Sequence, residues 1–228
     1  MEVLVRAAES GWVPDPFIRW GIRKLVSERL EDEKAKNFAE DHAAWLASLE
    51  QSPIAINTSD ANDQHYEVPP KFFELCLGQH LKYSGCEWSP KTPSLSDAEA
   101  NTLQLTCQRA ELANGQRILE LGCGWGSLSL WMAEHYPEAS VTAVSNSAPQ
   151  RKHIMARAKE RGLNNLTVIT CNMTEFKPED RFDRIVSVEM FEHMRNWPKL
   201  LRNCHGWLVP TGKIFLHYFS HRKFCYPF

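Results

Sequence analysis

The sequence predicts an α/β domain built on a doubly wound parallel sheet and preceded by a helical extension. Two observations carry that expectation, and a third bears on the redox compartment. From residue 116 onward, β-rich runs alternate with helical patterns, as they do when parallel strands are joined by crossover helices. The run Ile118-Leu119-Glu120-Leu121 meets Gly122, Gly124 and Gly126 at alternate positions, and a helical pattern follows from Ser127 to His135. This succession reads as a buried strand, a tight glycine turn and a helix N-terminus. Finally, the seven cysteines are scattered, odd in number and without a C-x-x-C pair, which argues for reduced thiols rather than a disulfide framework or a zinc site.

A chain of 228 residues suits one domain with an appendage. With a net charge of −2 there is no global drive toward nucleic acid or an anionic bilayer. Met1-Glu2-Val3 lacks the basic region and apolar core of a signal peptide. No apolar run approaches the ~18 residues of a spanning helix. A cytoplasmic protein without a transmembrane segment is the expectation.

The elements follow in order. Asp15-Pro16 reads as a helix start, and Phe17, Ile18, Ile22, Leu25, Val26 and Leu30 then recur at helical spacing between Arg19, Arg23, Lys24 and Arg29. Such a basic helix either packs on its own domain or lies on a membrane surface. A second helix is expected from Ala35 to Leu49, with Phe38, Trp45, Leu46 and Leu49 inward. Residues 51–64 have linker composition, so the extension is expected to span 1–64 and the main domain 65–228. Pro69-Pro70 opens a short helix over 71–77, and Ser96-Asp97-Ala98-Glu99 fits a capping box for a helix to about Glu111. Strands are then expected at 116–121, 140–145, 166–170, 183–188 and 213–219, and helices at 126–136, 147–161 and 196–208, with a weak turn near Thr174 to Lys177. Ligands of such sheets sit beyond the carboxyl ends of the strands.

The candidate residues fall at those ends. Glycines let the backbone approach a ligand, and free N–H groups at the helix start favour an anionic or hydrogen-bonding group. Glu120, ending the first strand, can bind a ligand amine or form a salt bridge. After the second strand, Ser145, Asn146 and Gln150 are hydrogen-bonding groups, with helix capping by Asn146 or Ser147 as the alternative. Asn172 and Met173 follow the third strand, where a plain turn is the alternative. The fourth strand ends in Val188-Glu189-Met190-Phe191-Glu192-His193. If a helical turn begins at Glu189, Glu189 and Glu192 share one face. Such a pair can hold a cation or take protons. His217 and His221 close the fifth strand, and no third ligand at metal spacing accompanies them.

The spacing of Glu120 to Gly126 resembles motif I of class I S-adenosylmethionine-dependent methyltransferases. Over 65–228 the resemblance narrows. His65-Tyr66-Glu67-Val68-Pro69, Tyr83-Ser84, Leu121 to Gly126, Ser145 to Gln150 and Phe191-Glu192-His193-Met194 resemble the cyclopropane-fatty-acyl-phospholipid synthase superfamily. That superfamily includes the mycolic acid cyclopropane synthases and the coclaurine N-methyltransferases. The resemblance implies S-adenosylmethionine as cofactor. It puts Tyr83 and Ser84 at the methionine end, with Glu120, Gly122, Cys123, Gly124 and Gly126 around it. It gives Ser145, Asn146 and Gln150 to the ribose, Asn172 and Met173 to the adenine, and a backbone contact to Val188. Glu189, Glu192 and His193 match the acid-acid-histidine set of the coclaurine-type enzymes. The lipid synthases typically carry glycine at the position of Glu189 and cysteine at that of Gly85.

Both departures favour methylation of a small-molecule amine over cyclopropanation of a lipid acyl chain. In the lipid reaction Glu192 and His217 would serve as the base. A non-catalytic S-adenosylmethionine-binding fragment is a third reading. Peripheral membrane contact and a homodimer stay open. Class I sheets normally continue past the fifth strand through a helix and an antiparallel hairpin. The sequence runs out at Phe224-Cys225-Tyr226-Pro227-Phe228, so the expectation is a sheet lacking its final strands, with an open edge, weak stability and self-association.

Overall fold

The computed structural model describes residues 2–35, 38–56 and 69–224. The residues of the His65-to-Val68 motif, the linker stretch 57–64 and Cys225 to Phe228 lie outside it. The described residues form two compact units, one comprising residues up to Ser48 with those from His221, the other Leu49–Ser220.

The first unit holds α1 (Glu2–Glu9), α2 (Asp15–Ala35) and most of α3 (Phe38–Gln51). Helix α1 has no counterpart among the expected elements, whereas α2 starts at Asp15 as the Asp-Pro pair predicts. The positions of α2 expected to pack, Phe17, Ile22, Leu25 and Val26, are exposed. The buried side chain of this helix is Glu33, with its carboxylate 2.8 Å from Arg29.

In the second unit, β1 (Arg117–Leu121), β2 (Ser140–Ser145), β3 (Leu166–Thr170), β4 (Phe182–Val188) and β5 (Leu208–His217) form one sheet in the order β3-β2-β1-β4-β5. Every pairing is parallel. The chain winds outward from β1 through β2 to β3, then returns to the other side of β1 for β4. The carboxyl ends of β1 and β4 therefore flank the point where the winding reverses, which is where such sheets leave a crevice for ligands. Among the described residues β4 is the one neighbour of β5.

Two cores cover the two faces, as the period-2 alternation of strand side chains requires. Ile118, Val141, Ala143 and Val186 point to a core shared with α5 (Leu95–Arg109), α6 (Ser127–His135) and α7 (Ala148–Glu160). Leu119, Leu121, Val144 and Ile185 point to the other, with Phe176, Phe191 and, from α8 (Trp197–Trp207), Leu200 and Cys204. The helix at 71–77 appears as α4 (Pro70–Cys76).

Two local expectations are corrected, at the start of α5 and at the start of the fifth strand. Helix α5 is capped by Ser94, whose side chain accepts from the Asp97 N–H, not by a Ser96–Glu99 box. Glu99 is instead fully buried and accepts from the N–H groups of Gly78 and His80, both at 2.8 Å. Its burial is compensated because it binds two backbone donors that have no ladder to join. The weak turn expected near Thr174 is present as a turn over residues 173–175. Strand β5 begins at Leu208, earlier than expected, and a register shift opposite Phe182 to Arg184 carries it past Pro210 and Gly212. It stops at His217 because the next residues leave the ladder.

Asn196 clips the chain before the sheet onto this frame. Its Oδ1 accepts from the Lys199 N–H and caps α8, while its Nδ2 donates to the carbonyls of Glu50 (2.7 Å) and Ser52 (2.9 Å). Asn196 is buried, so Asn196→Ala loses a helix cap and leaves two carbonyls short of a donor. Urea unfolding is expected to show a loss of about 3 kcal/mol. A loss under about 0.5 kcal/mol, the usual range for surface changes, would mean the clip contributes nothing.

Candidate functional site

At the end of β1 the backbone turns because the N–H groups of Gly122 and Cys123 both donate to the Val144 carbonyl, at 3.0 and 3.1 Å. Gly122, Gly124 and Gly126 all take positive φ, at 80°, 50° and 83°. Their surroundings differ. A Cβ at Gly122 would strike Met190 at 2.6 Å and one at Gly126 would strike Ile154 at 2.5 Å, but one at Gly124 would meet nothing within 4 Å. The outer two glycines are therefore packing requirements, and Gly124 presents bare backbone to open space. Beside it, the buried Ser127 Oγ at the start of α6 has no hydrogen-bond partner.

The acid of this motif points the other way. Glu120 shares a face with Ile118, under α6, and accepts a hydrogen bond from Ser129 Oγ. Burial pushes its carboxyl up to about 7, with the Ser129 bond opposing. Cys123 is likewise buried in the core, and its thiol is held well above the usual range by burial.

After β2, Ser147 is the cap of α7. Ser145 Oγ accepts from the Ser147 N–H (3.1 Å) and donates to Gln150 Oε1 (2.6 Å). Gln150 is 1% exposed, and its Nε2 is buried without a partner. Asn146 is half-buried beside them. After β3, Asn172 Oδ1 accepts from the N–H and the hydroxyl of Thr174, closing a turn, while Met173 joins the core containing Leu119.

At the end of β4, Val188 pairs with His217 and Glu189 enters the left-handed region at φ 55°. Its N–H donates to the His217 carbonyl at 2.8 Å. One carboxylate oxygen, Oε2, accepts from Ser84 Oγ; the other, Oε1, is buried without a hydrogen bond and lies 3.7 Å from Lys82 Nζ. The expected helical turn from Glu189 is corrected: a 3-10 turn starts only at Phe191, so Glu189 and Glu192 do not share a helical face. Glu192 Oε1 accepts from the Phe219 N–H (3.2 Å), which removes Phe219 from the β5 ladder, and its Oε2 is buried without a partner. Each carboxylate thus has one oxygen held by a hydrogen bond and one without, the latter beside Lys82 in the case of Glu189.

The other expected residues are spread around this edge. His193 is exposed and His217 half-buried. Tyr83 is 70% exposed, its ring edge-on to Phe73 at 5.8 Å. His221 belongs to the first unit, where its Nδ1 accepts from the N–H groups of Lys223 and Phe224. Sequence reasoning missed Lys82 and Trp197. The Trp197 indole donates to the Phe191 carbonyl at 2.8 Å and its ring meets Phe191 and Tyr218 edge-on, bracing the turn that carries Glu192. Nothing in their spacing marks Lys82 as buried or Trp197 as a brace. Among the described residues no cluster of His, Cys, Asp and Glu could hold a metal ion, and no helix is long and apolar enough to cross a membrane.

The family model described as mycolic acid cyclopropane synthetase matches residues 55–224. (S)-coclaurine N-methyltransferase of Thalictrum flavum subsp. glaucum is 37% identical over 99% of this chain and 63% of its own length. A crystal structure of coclaurine N-methyltransferase bound to N-methylheliamine and SAH superposes with a TM-score of 0.89 at 35% identity, over 98% of this chain and 65% of that one. Cyclopropane-fatty-acyl-phospholipid synthase of Escherichia coli (strain K12) is 34% identical over 70% of this chain and 41% of its own length. The chain thus spans under two-thirds of the length of these relatives. The likeness shows the fold to be the class I methyltransferase sheet.

The buried Glu120 yields a test of the site's frame. Its folded-state value of about 7 lies above the ordinary 4.5, so between these values the folded chain binds a proton that the unfolded chain has released. Stability therefore falls as pH rises through that window. Glu120→Gln removes the group, and the variant should gain on the wild type by up to about 3 kcal/mol between pH 4.5 and 7. A pH-independent difference in urea unfolding would contradict the burial of this carboxyl.

Proposed function

We propose, because the chain belongs to the mycolic acid cyclopropane synthetase family, that it acts as an S-adenosylmethionine-dependent methyltransferase on a small-molecule amine. The observation that carries the reading is Glu192, whose Oε2 is buried, unpartnered and, among the described residues, without a paired cation. A bare buried carboxylate oxygen at the ligand edge of a parallel sheet is costly unless it meets a cation or a proton donor.

The cofactor fits the cradle that β1 and β2 leave. Gly124 supplies open backbone, Ser127 Oγ a hydroxyl and Gln150 Nε2 an amide donor, the latter two without a hydrogen-bond partner among the described residues. Gln150 is held in place by Ser145, so its amide hydrogens are presented in a fixed direction to ribose hydroxyls. When bound, S-adenosylmethionine supplies a sulfonium methyl group for in-line attack. The chain's own task is to orient the amine and manage its proton. Glu192 Oε2 would accept the N–H of the amine, aim its lone pair and take the proton that the nitrogen sheds, with His193 next in the chain at the solvent side.

Coclaurine N-methyltransferase similarity across nearly the whole chain supports the amine reading. Cyclopropanation stays second, on the similarity to the Escherichia coli synthase. Against it, the two departures from the lipid synthases lie side by side. A Cβ at Gly85 would meet Glu189 Oε1 at 3.4 Å, an ordinary contact, so what favours glycine at 85 is its φ of 67°.

Two outcomes are expected. Gly124→Val would put a β-branched residue at φ 50° and fill the open space. It should abolish S-adenosylmethionine binding in calorimetry with a native far-UV spectrum, and undiminished affinity would remove the cradle assignment. Glu192→Gln should lower methyl transfer to the amine by ~10²–10⁴ while leaving cofactor affinity in place. Full turnover by that variant would defeat the mechanism.

A further inference from the structure

Lysine is rarely buried without a reason, and Lys82 is only 8% exposed. Its Nζ donates to the Ser84 carbonyl at 2.6 Å and stands 3.7 Å from Glu189 Oε1. The first contact is a full hydrogen bond; the second is an ion pair too long to be one. The same Ser84 that receives the lysine through its carbonyl donates its hydroxyl to Glu189 Oε2. One short loop therefore grips one carboxylate twice, by charge on one oxygen and by a hydroxyl on the other.

The backbone around this grip is unusual. Leu81 and Glu189 are left-handed at φ 52° and 55°, and Gly85 at 67°. Two non-glycine residues in that region, on both sides of one ion pair, store conformational free energy that persists only where the surroundings dictate it, and such residues concentrate at ligand sites. The loop is tied down again by the Glu87 N–H, which donates to the buried Thr102 Oγ1 at 2.7 Å. The assembly is held rigid, yet Glu189 Oε1 keeps no hydrogen bond.

We propose that Lys82 is a positioning residue that holds the Glu189 carboxylate in place and neutralises it, leaving Oε1 to orient the N–H of the acceptor amine. The two carboxylates at this edge then have separate tasks. Glu189, already matched by a built-in cation, is a fixed neutral-pair hydrogen-bond acceptor that sets where the amine sits. Glu192, with no paired cation among the described residues, is the group that takes up the proton. A paired Glu189 adds no net negative charge to the pocket, so an amine is selected there by hydrogen-bond geometry rather than by its positive charge. This assignment rests on the amine-methyltransferase reading and adds to it a residue and a division of roles.

The test is a double-mutant cycle on the full chain with Lys82→Met, Lys82→Arg, Glu189→Gln and Lys82→Met with Glu189→Gln, read by steady-state turnover of a benzylic amine and by calorimetric titration with S-adenosylhomocysteine. Lys82→Met should raise the KM for the amine about tenfold, within the coupling range of contacting residues. Cofactor affinity should stay within about twofold, the change expected when no contact to that ligand is lost. Lys82→Arg, which keeps the charge, should recover most of the loss. In the Glu189→Gln background the further change Lys82→Met should add almost nothing, because the carboxylate it holds is gone. That comparison also decides the matter should Lys82→Met alone leave an unmatched buried charge and fail to fold, since the double variant contains neither charge. Equal losses from Lys82→Met in both backgrounds, or a wild-type KM in the single variant, would overturn the role of Lys82 alone. A wild-type chain that transfers no methyl group to any amine would overturn the functional reading first, and this inference with it.

Discussion

The carboxyl edge of the sheet depends on the left-handed turn at Glu189, where β4 ends, β5 is held and the 82–85 loop is anchored. The residue is strained by roughly 1–2 kcal/mol, the usual penalty for an L side chain in that region. Its N–H on the His217 carbonyl joins the ends of two strands, and its carboxylate joins Ser84 and Lys82. Were Glu189 helical, it would share a face with Glu192 and the chain would miss the His217 carbonyl. The left-handed step instead delays the next turn to Phe191, where Trp197 braces it. Burying Lys82 and Glu189 together is tolerable because each has a second partner on Ser84, and a buried pair without such support would be a liability.

The glycine loop of β1 works with that turn rather than apart from it. Met190, which follows Glu189, packs against the face of Gly122 where no side chain fits. A change at either position would shift the other, so the ends of the two central strands are mechanically one unit. The orphan atoms of the site lie on both halves: Ser127 Oγ and Gln150 Nε2 around the β1 and β2 ends, and the free oxygens of Glu189 and Glu192 after β4. Several buried polar atoms without a partner around one sheet edge are open to a ligand or to ordered water.

Much of this architecture was legible in the sequence because it depends on periodicity and on glycine. The alternation of strands and helices announced the doubly wound sheet, and the spacing of Gly122, Gly124 and Gly126 announced the tight turn after β1. What escaped was what depends on tertiary partners. Ser96-Asp97-Ala98-Glu99 has the form of a capping box, but Glu99 is drawn away by the N–H groups of Gly78 and His80, two residues that sequence spacing does not bring near it. Glu189 reads as a helix start because acids favour one, yet long-range contacts with His217 and Lys82 override that preference. Glu120 carries the motif of a ligand-binding acid, and strand alternation turns it under α6 to Ser129. Lys82 was invisible because nothing local marks a lysine whose partner lies 107 positions along the chain.

What most needs testing is our proposal that nitrogen is methylated at the sheet edge that carries the β1 glycine loop and the β4 carboxylates. The most direct measurement is a product mass spectrum after the chain is incubated with S-adenosylmethionine and a mixture of secondary amines and unsaturated phospholipids. The account predicts one added methyl group on an amine, with S-adenosylhomocysteine formed in equal amount and the phospholipids unchanged. A phospholipid heavier by one methylene, or cofactor binding with no methylated product, would contradict it.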